Sequence, residues 1–211
     1  MRRIFVLCSF CLLLLAASAQ EKGFQELKEV AAFKAAFATA SAAMKSFRAD
    51  FTQEKNLRLL SEKIKSAGQF SFKKENKVRM EYRQPFDYLL LINGNYVTIK
   101  EGKKTNTISV KSNKLFQKIN QLTVDCVSGR ALTNGDFTST VFESANSYLL
   151  QLVPRSKEVR ELFSGIQVYL DKKDYTVSKI NMVEKGGDNT LIVFSRKEMN
   201  IEIPDALFTA Q

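Results

Sequence analysis

Apolar positions along this chain change their period. Phe33, Phe37, Ala40, Met44 and Phe47 recur at intervals of three or four residues, with Lys34, Thr39 and Lys45 on the opposite side, which is one stripe of a helical cylinder. The many alanines favour helix and let the stripe approach its support closely, so a helix lying on a sheet is expected. Around Phe47 the period falls to two. Phe47, Ala49 and Phe51 alternate with Arg48, Asp50 and Thr52; Phe70 and Phe72 with Gln69, Ser71 and Lys73; Val78, Met80 and Tyr82 with Arg79, Glu81 and Arg83. Each run reads as a half-buried strand whose apolar side chains share one face, and in the last of them the charged set Arg79, Glu81 and Arg83 is expected to face water. Residues 88–92 form a run apolar on both faces, and Asn93-Gly94 turns the chain into residues 96–99, with a further strand at 105–110.

Helical spacing returns at Leu115, Phe116, Ile119 and Leu122, and residues 124–129 read as a short helix or turn. Strands resume at 137–142, 148–153, 166–170, 177–183 and 191–194, with hairpin turns at Asp171–Asp174 and Gly186–Asn189. About ten strands, one long N-terminal helix and a helical insertion form the expected inventory. Strands joined by short polar turns predict an antiparallel meander. Several strands are apolar on both faces, yet little helix is available to cover them. A strongly twisted sheet that curls into an incomplete antiparallel β-barrel, covered by the N-terminal helix and the short helical lid insertion, resolves that surplus.

The first nineteen residues stand outside this scheme. Arg2 and Arg3 precede an uncharged, mostly apolar run to about Leu15, and Ala17-Ser18-Ala19 is a small-x-small cleavage site. This is a secretory signal, too short for a membrane span, and the mature protein is expected to be residues 20–211, one domain beginning at Gln20. Cys8 and Cys11 leave with it, so Cys126 stands alone, no internal disulfide forms, and the expected place for Cys126 is a buried apolar site. The formal charge of +10 falls to +8 without Arg2 and Arg3, and the cations are scattered. For an exported chain such a surface suits lipid or a protein partner and not nucleic acid.

Chemistry is sparse. The chain has no histidine, hence neither the usual general base nor the commonest metal ligand. A lone cysteine makes neither a His-paired nucleophile nor a zinc site, and phosphate-loop, nucleophile-elbow and dinucleotide fingerprints are missing. Binding without catalysis or cofactor is expected. Sixteen Phe and no Trp make the aromatics informative. Phe70, Phe72, Val78, Met80, Tyr82, Leu90 and Ile92 are the candidate lining of an apolar cavity, Leu115, Phe116, Ile119 and Leu122 its candidate lid.

These same residues carry a resemblance. Phe47-x3-Phe51-x-Gln53, Gly68-x-Phe70-x-Phe72-Lys73, Val78-Arg79-Met80-x-Tyr82-x2-Pro85, Asn93-Gly94 with Tyr96, the apolar stretch 115–122, Tyr148-x-Leu150-x-Leu152-x-Pro154 and Phe194 resemble, in order and spacing, the periplasmic outer-membrane lipoprotein carrier proteins, LolA-like. The resemblance implies a lidded, incomplete barrel. It implies a soluble, monomeric periplasmic shuttle that takes acylated lipoproteins from an inner-membrane release complex, shields their acyl chains and hands them to an outer-membrane acceptor. A binding or sensor protein for another lipid on the same fold is the alternative. The family often has Lys-Arg-Pro or Lys-Pro where this chain has Lys73-Lys74-Glu75, and a basic residue there latches the lid; by alignment that residue is Lys74. The usual Trp after Arg79 is replaced by Met80.

Overall fold

The structure, a computed structural model, describes residues 21–59, 62–109, 124–125, 130–132 and 135–210. The expected signal sequence, the lid residues Leu115, Phe116, Ile119 and Leu122, and Cys126 lie outside the described residues.

Among the described residues, twelve strands form a single sheet: β1 (Gln25–Glu26), β2 (Ser46–Leu57), β3 (Glu62–Lys73), β4 (Lys77–Gln84), β5 (Tyr88–Asn93), β6 (Tyr96–Glu101), β7 (Lys104–Ser109), β8 (Phe137–Glu143), β9 (Ser147–Pro154), β10 (Phe163–Asp171), β11 (Val177–Glu184) and β12 (Asn189–Met199). Their order is β1-β8-β9-β10-β11-β12-β2-β3-β4-β5-β6-β7, and every pairing is antiparallel. The sheet is a curled, incomplete barrel: β1 and β7 end the order and do not pair. The expected meander holds within β2–β7 and within β8–β12. The join between them, β12 against β2, links residues far apart in sequence, with Phe194 opposite Phe51. The two-residue β1 escapes any periodicity argument, and so does the one-turn helix Lys157–Arg160.

The helix, α1, spans Val30–Ala43. Met44 is already its C-cap with extended backbone, and Phe47 lies in β2, so the last two members of the 3.6-period stripe belong to the exit and the following strand. Phe33 and Phe37 are buried, stacked on each other at 5.6 Å. Phe33 lies 4.5 Å from the Tyr148 ring, and Tyr175 lies within 6.2 Å of both phenylalanines. Tyr148 opens β9, Tyr175 sits in the β10–β11 turn, and the chain leaves α1 directly into the start of β2. All three are at one end of the sheet, so α1 lies across that end of the curl, and its 14 residues reach about 21 Å.

Candidate functional site

Antiparallel register assembles the inner face in rows. Phe47, Phe72, Val78, Ile92 and Val97 stand opposite one another in succession on β2 to β6. Ala49, Phe70, Met80, Leu90 and Ile99 form the next row, and Phe51, Gly68, Tyr82 and Tyr88 a third. The structure thus brings all seven sequence-predicted lining residues onto one face. Phe70, Phe72, Val78, Met80 and Ile92 are buried, and Tyr82 and Leu90 are partly buried against the same cluster. That cluster continues through β12 to β8 with Phe194, Ile192, Ile180, Val168, Leu150 and Val141. The sequence-predicted set omitted β2 and β12, although the alternation Phe47, Ala49, Phe51 already placed β2 on an apolar face.

Gly68 explains one row. A Cβ there would lie 1.9 Å from the Glu81 carbonyl oxygen, because the bulge between Ala67 and Gly68 draws β4 in. The Phe51 ring meets the Tyr82 ring edge-on at 5.0 Å in the same row.

Above that row β2 and β3 turn polar, while β12 stays apolar with Ile192 opposite Gln53. Gln53 stands opposite Ser66, and the Tyr82 hydroxyl donates to Gln53 Oε1 at 2.9 Å. Burial, seconded by neighbouring Tyr88 and opposed by the Gln53 hydrogen bond, pushes the Tyr82 phenol up to about 12, so it stays a neutral donor at any physiological pH. From the row of Phe47 to that of Gln53 the wall is about 20 Å tall.

Lys74 occupies the β3–β4 turn, formed by Glu75 and Asn76 in the left-handed region (φ 73° and 61°). Its backbone N–H donates to the Lys45 carbonyl at 2.9 Å, and its Nζ donates to the Ala42 carbonyl, in the last turn of α1. A cation here meets carbonyls that have no intrahelical partner and the negative end of the helix dipole.

The outer face corrects one expectation. Alternation places Arg79, Glu81 and Arg83 away from the apolar rows, as the structure shows, but Arg79 does not face water. The C-terminal segment crosses the outer face of β3, β4 and β5. Arg79 Nη1 donates to the Leu207 carbonyl at 3.0 Å, Lys73 Nζ to the Ile203 carbonyl at 2.9 Å, and Asn93 Nδ2 to the Phe208 carbonyl at 3.4 Å. Asp205 pairs with Lys73 at 2.6 Å and Lys77 at 3.1 Å. Ile203 and Phe208 are each 1% exposed, and Leu91, which the alternation turns to this same outer face, is equally buried. Among the described residues no group of His, Cys, Asp and Glu could hold a metal ion, and no helix is long and apolar enough to cross a membrane.

The chain is similar to known proteins. The profile of the family described as outer membrane lipoprotein carrier protein LolA matches residues 42–211. An outer-membrane lipoprotein carrier protein of Methylibium petroleiphilum is 24% identical over 163 residues, 77% of each chain. A solved uncharacterized conserved protein from Thermus thermophilus has a TM-score of 0.51 at 10% identity, over 85% of this chain and 93% of its own. A LolA superfamily protein from Nitrosomonas europaea has a TM-score of 0.46 at 11% identity, over 84% and 97%. The matched stretch runs from the last turn of α1 to the C-terminus and so takes in β2 to β12 and every row of the inner face: the chain belongs to the outer membrane lipoprotein carrier family, LolA.

Proposed function

We propose that this protein is a lipoprotein carrier that holds acyl chains against the inner face of the curled sheet. The observation that supports this most is the continuity of that face. Aromatic and aliphatic rows run from Phe47 to Tyr82 and on through β12 to β8, over one end of which α1 lies. Transfer of an acyl chain onto such a surface gains about 0.8 kcal/mol per methylene, enough to offset extraction from a bilayer. In this reading residues 1–19 export the chain and residues 20–211 act as one periplasmic unit. Leu115, Phe116, Ile119 and Leu122 close the cavity, and Lys74 latches its cover. Cargo comes from an inner-membrane release complex and goes to an outer-membrane acceptor. The family, which works by binding and not by catalysis, and the Methylibium relative support this reading.

The test is release of radiolabelled lipoprotein from inner-membrane vesicles into the soluble fraction by the purified protein. Stoichiometric soluble complex is expected. Lipoprotein left entirely in the vesicles, with the release machinery shown competent by another carrier, would overturn the reading.

A further inference from the structure

Helix α1 passes into β2 with only Met44 and Lys45 between them, so movement of the helix at this end is absorbed by a two-residue exit. The structure grips that exit from both sides. From the β3–β4 turn, the Lys74 N–H donates to the Lys45 carbonyl at 2.9 Å; from the other side, the Lys45 N–H donates to Asn200 Oδ1 at 2.7 Å. Asn200 follows the end of β12, beyond the register shift between Ser195 and Glu198, with its backbone in the left-handed region (φ 56°). Most side chains avoid that conformation, and Asn tolerates it. Two ties to the first residue of β2 keep it there. The Asn200 N–H donates to the Ser46 carbonyl at 2.9 Å, and the buried Ser46 hydroxyl donates to the Ile201 carbonyl at 2.6 Å. The helix itself is lightly held. Of its 14 residues only Phe33 and Phe37 are buried, and its N-cap, Glu29, makes no side-chain capping bond.

We propose that Asn200 is a positioning residue for α1: its side-chain oxygen holds the α1–β2 exit, and so sets how readily the helix lifts from the end of the inner face to admit an acyl chain. This rests on the carrier reading above and adds a control point to it, on the opposite side of the exit from Lys74. Removing the acceptor leaves the Lys45 N–H to water and frees its peptide to rotate, while the backbone ties of Ser46 to Asn200 and Ile201 keep β2 and β12 in place. One hydrogen bond of this kind amounts to about two- to tenfold in an opening equilibrium. Position 200 also permits a discriminating pair of substitutions. Glycine takes a positive φ without steric cost and has no side-chain acceptor, whereas aspartate keeps an acceptor oxygen in the same place.

The experiment uses the purified full-length mature protein. Amide hydrogen exchange compares residues 33–43 of α1 with the β2–β3 ladder, and stopped-flow fluorescence follows uptake of N-phenyl-1-naphthylamine, an apolar fluorophore that brightens out of water. Asn200→Gly is expected to lower protection of α1 about two- to tenfold, to leave the ladder unchanged, and to speed uptake by a similar factor. Asn200→Asp is expected to match the wild type in both measurements. Asp205→Asn, which removes the clasp to Lys73 and Lys77 farther along the C-terminal segment, is expected to leave α1 as it is. Unchanged α1 protection in Asn200→Gly, an equal loss in Asn200→Asp, or a looser helix with unaltered uptake would overturn the proposal. A wild type that binds no fluorophore, with α1 loosened as expected in Asn200→Gly, would sink the carrier reading while the hold of Asn200 on the helix stands.

Discussion

At Gly68 two strands approach so closely that only a residue without a side chain fits between them. Gly68→Ala puts a methyl inside the Glu81 carbonyl, where neither backbone can move without disturbing the Phe51–Tyr82 row. A loss of about 1–3 kcal/mol is expected, read by chemical denaturation, with an unchanged midpoint as the refuting result. A second residue-scale outcome concerns Arg79, whose side chain is 18% exposed. Arg79→Glu deletes the donor to Leu207 and sets a carboxylate against Glu81, so faster proteolytic trimming of the C-terminus is expected, with a loss of about 1.5–3 kcal/mol. Period-two alternation located the side of the sheet that Arg79 occupies. It could not say what covers that side, because Ile203 to Phe208 carries no period of its own and is fixed by contacts more than a hundred residues away. Gln53, by contrast, was legible: counting by twos from Phe47 places it inward, a polar residue on an apolar face.

Among the elements, α1 shows what sequence periodicity can and cannot divide. The 3.6-residue stripe and the two-residue alternation overlap from Met44 to Phe47, since a buried aromatic satisfies both, and only the extended backbone at Met44 marks the boundary. Strands β2 to β7 were readable because each hairpin turn is local. The pairing of β12 with β2 was not, as no turn connects them. The tie from Lys74 to the end of α1 gives an outcome at this scale. Lys74→Leu is expected to shift stability by no more than about 1 kcal/mol, the usual worth of a cation at an exposed helix C-terminus, while changing the rate of cargo uptake or release several-fold. Stopped-flow transfer kinetics beside a melting curve separate the two effects, and identical kinetics would remove Lys74 from the mechanism.

Over the whole molecule, the sheet is clothed on both sides by parts of its own chain, α1 inside and residues 203–208 outside. The outer strap has a pH sign. Asp205 is held below the usual carboxyl value by the Lys73 hydrogen bond first and the Lys77 hydrogen bond next. A depressed folded value means that its contribution is complete above the ordinary Asp range, about pH 4, and disappears as pH falls through the lower folded value. Hydrogen-exchange protection of residues 205–209 is therefore expected to be flat from neutral pH to about 4 and to drop below it. Asp205→Asn should show the low protection at pH 7 as well. High salt should act in the same direction on this exposed clasp. Protection that is insensitive to acid, salt and the substitution would mean that the apolar contacts of Ile203 and Phe208 alone hold the strap.

The lack of pairing between β1 and β7 has a mechanical meaning. A closed barrel has a circumference set by its strand number and shear, and enlarging it requires breaking a ladder along its full height. A sheet left open behaves as a split ring. Small changes of twist, shared over eleven strand junctions that all keep their hydrogen bonds, widen or narrow its bore. In the carrier reading proposed above, such a ring would hold one, two or three chains of different thickness with the same set of rows, its fit to cargo being elastic in girth.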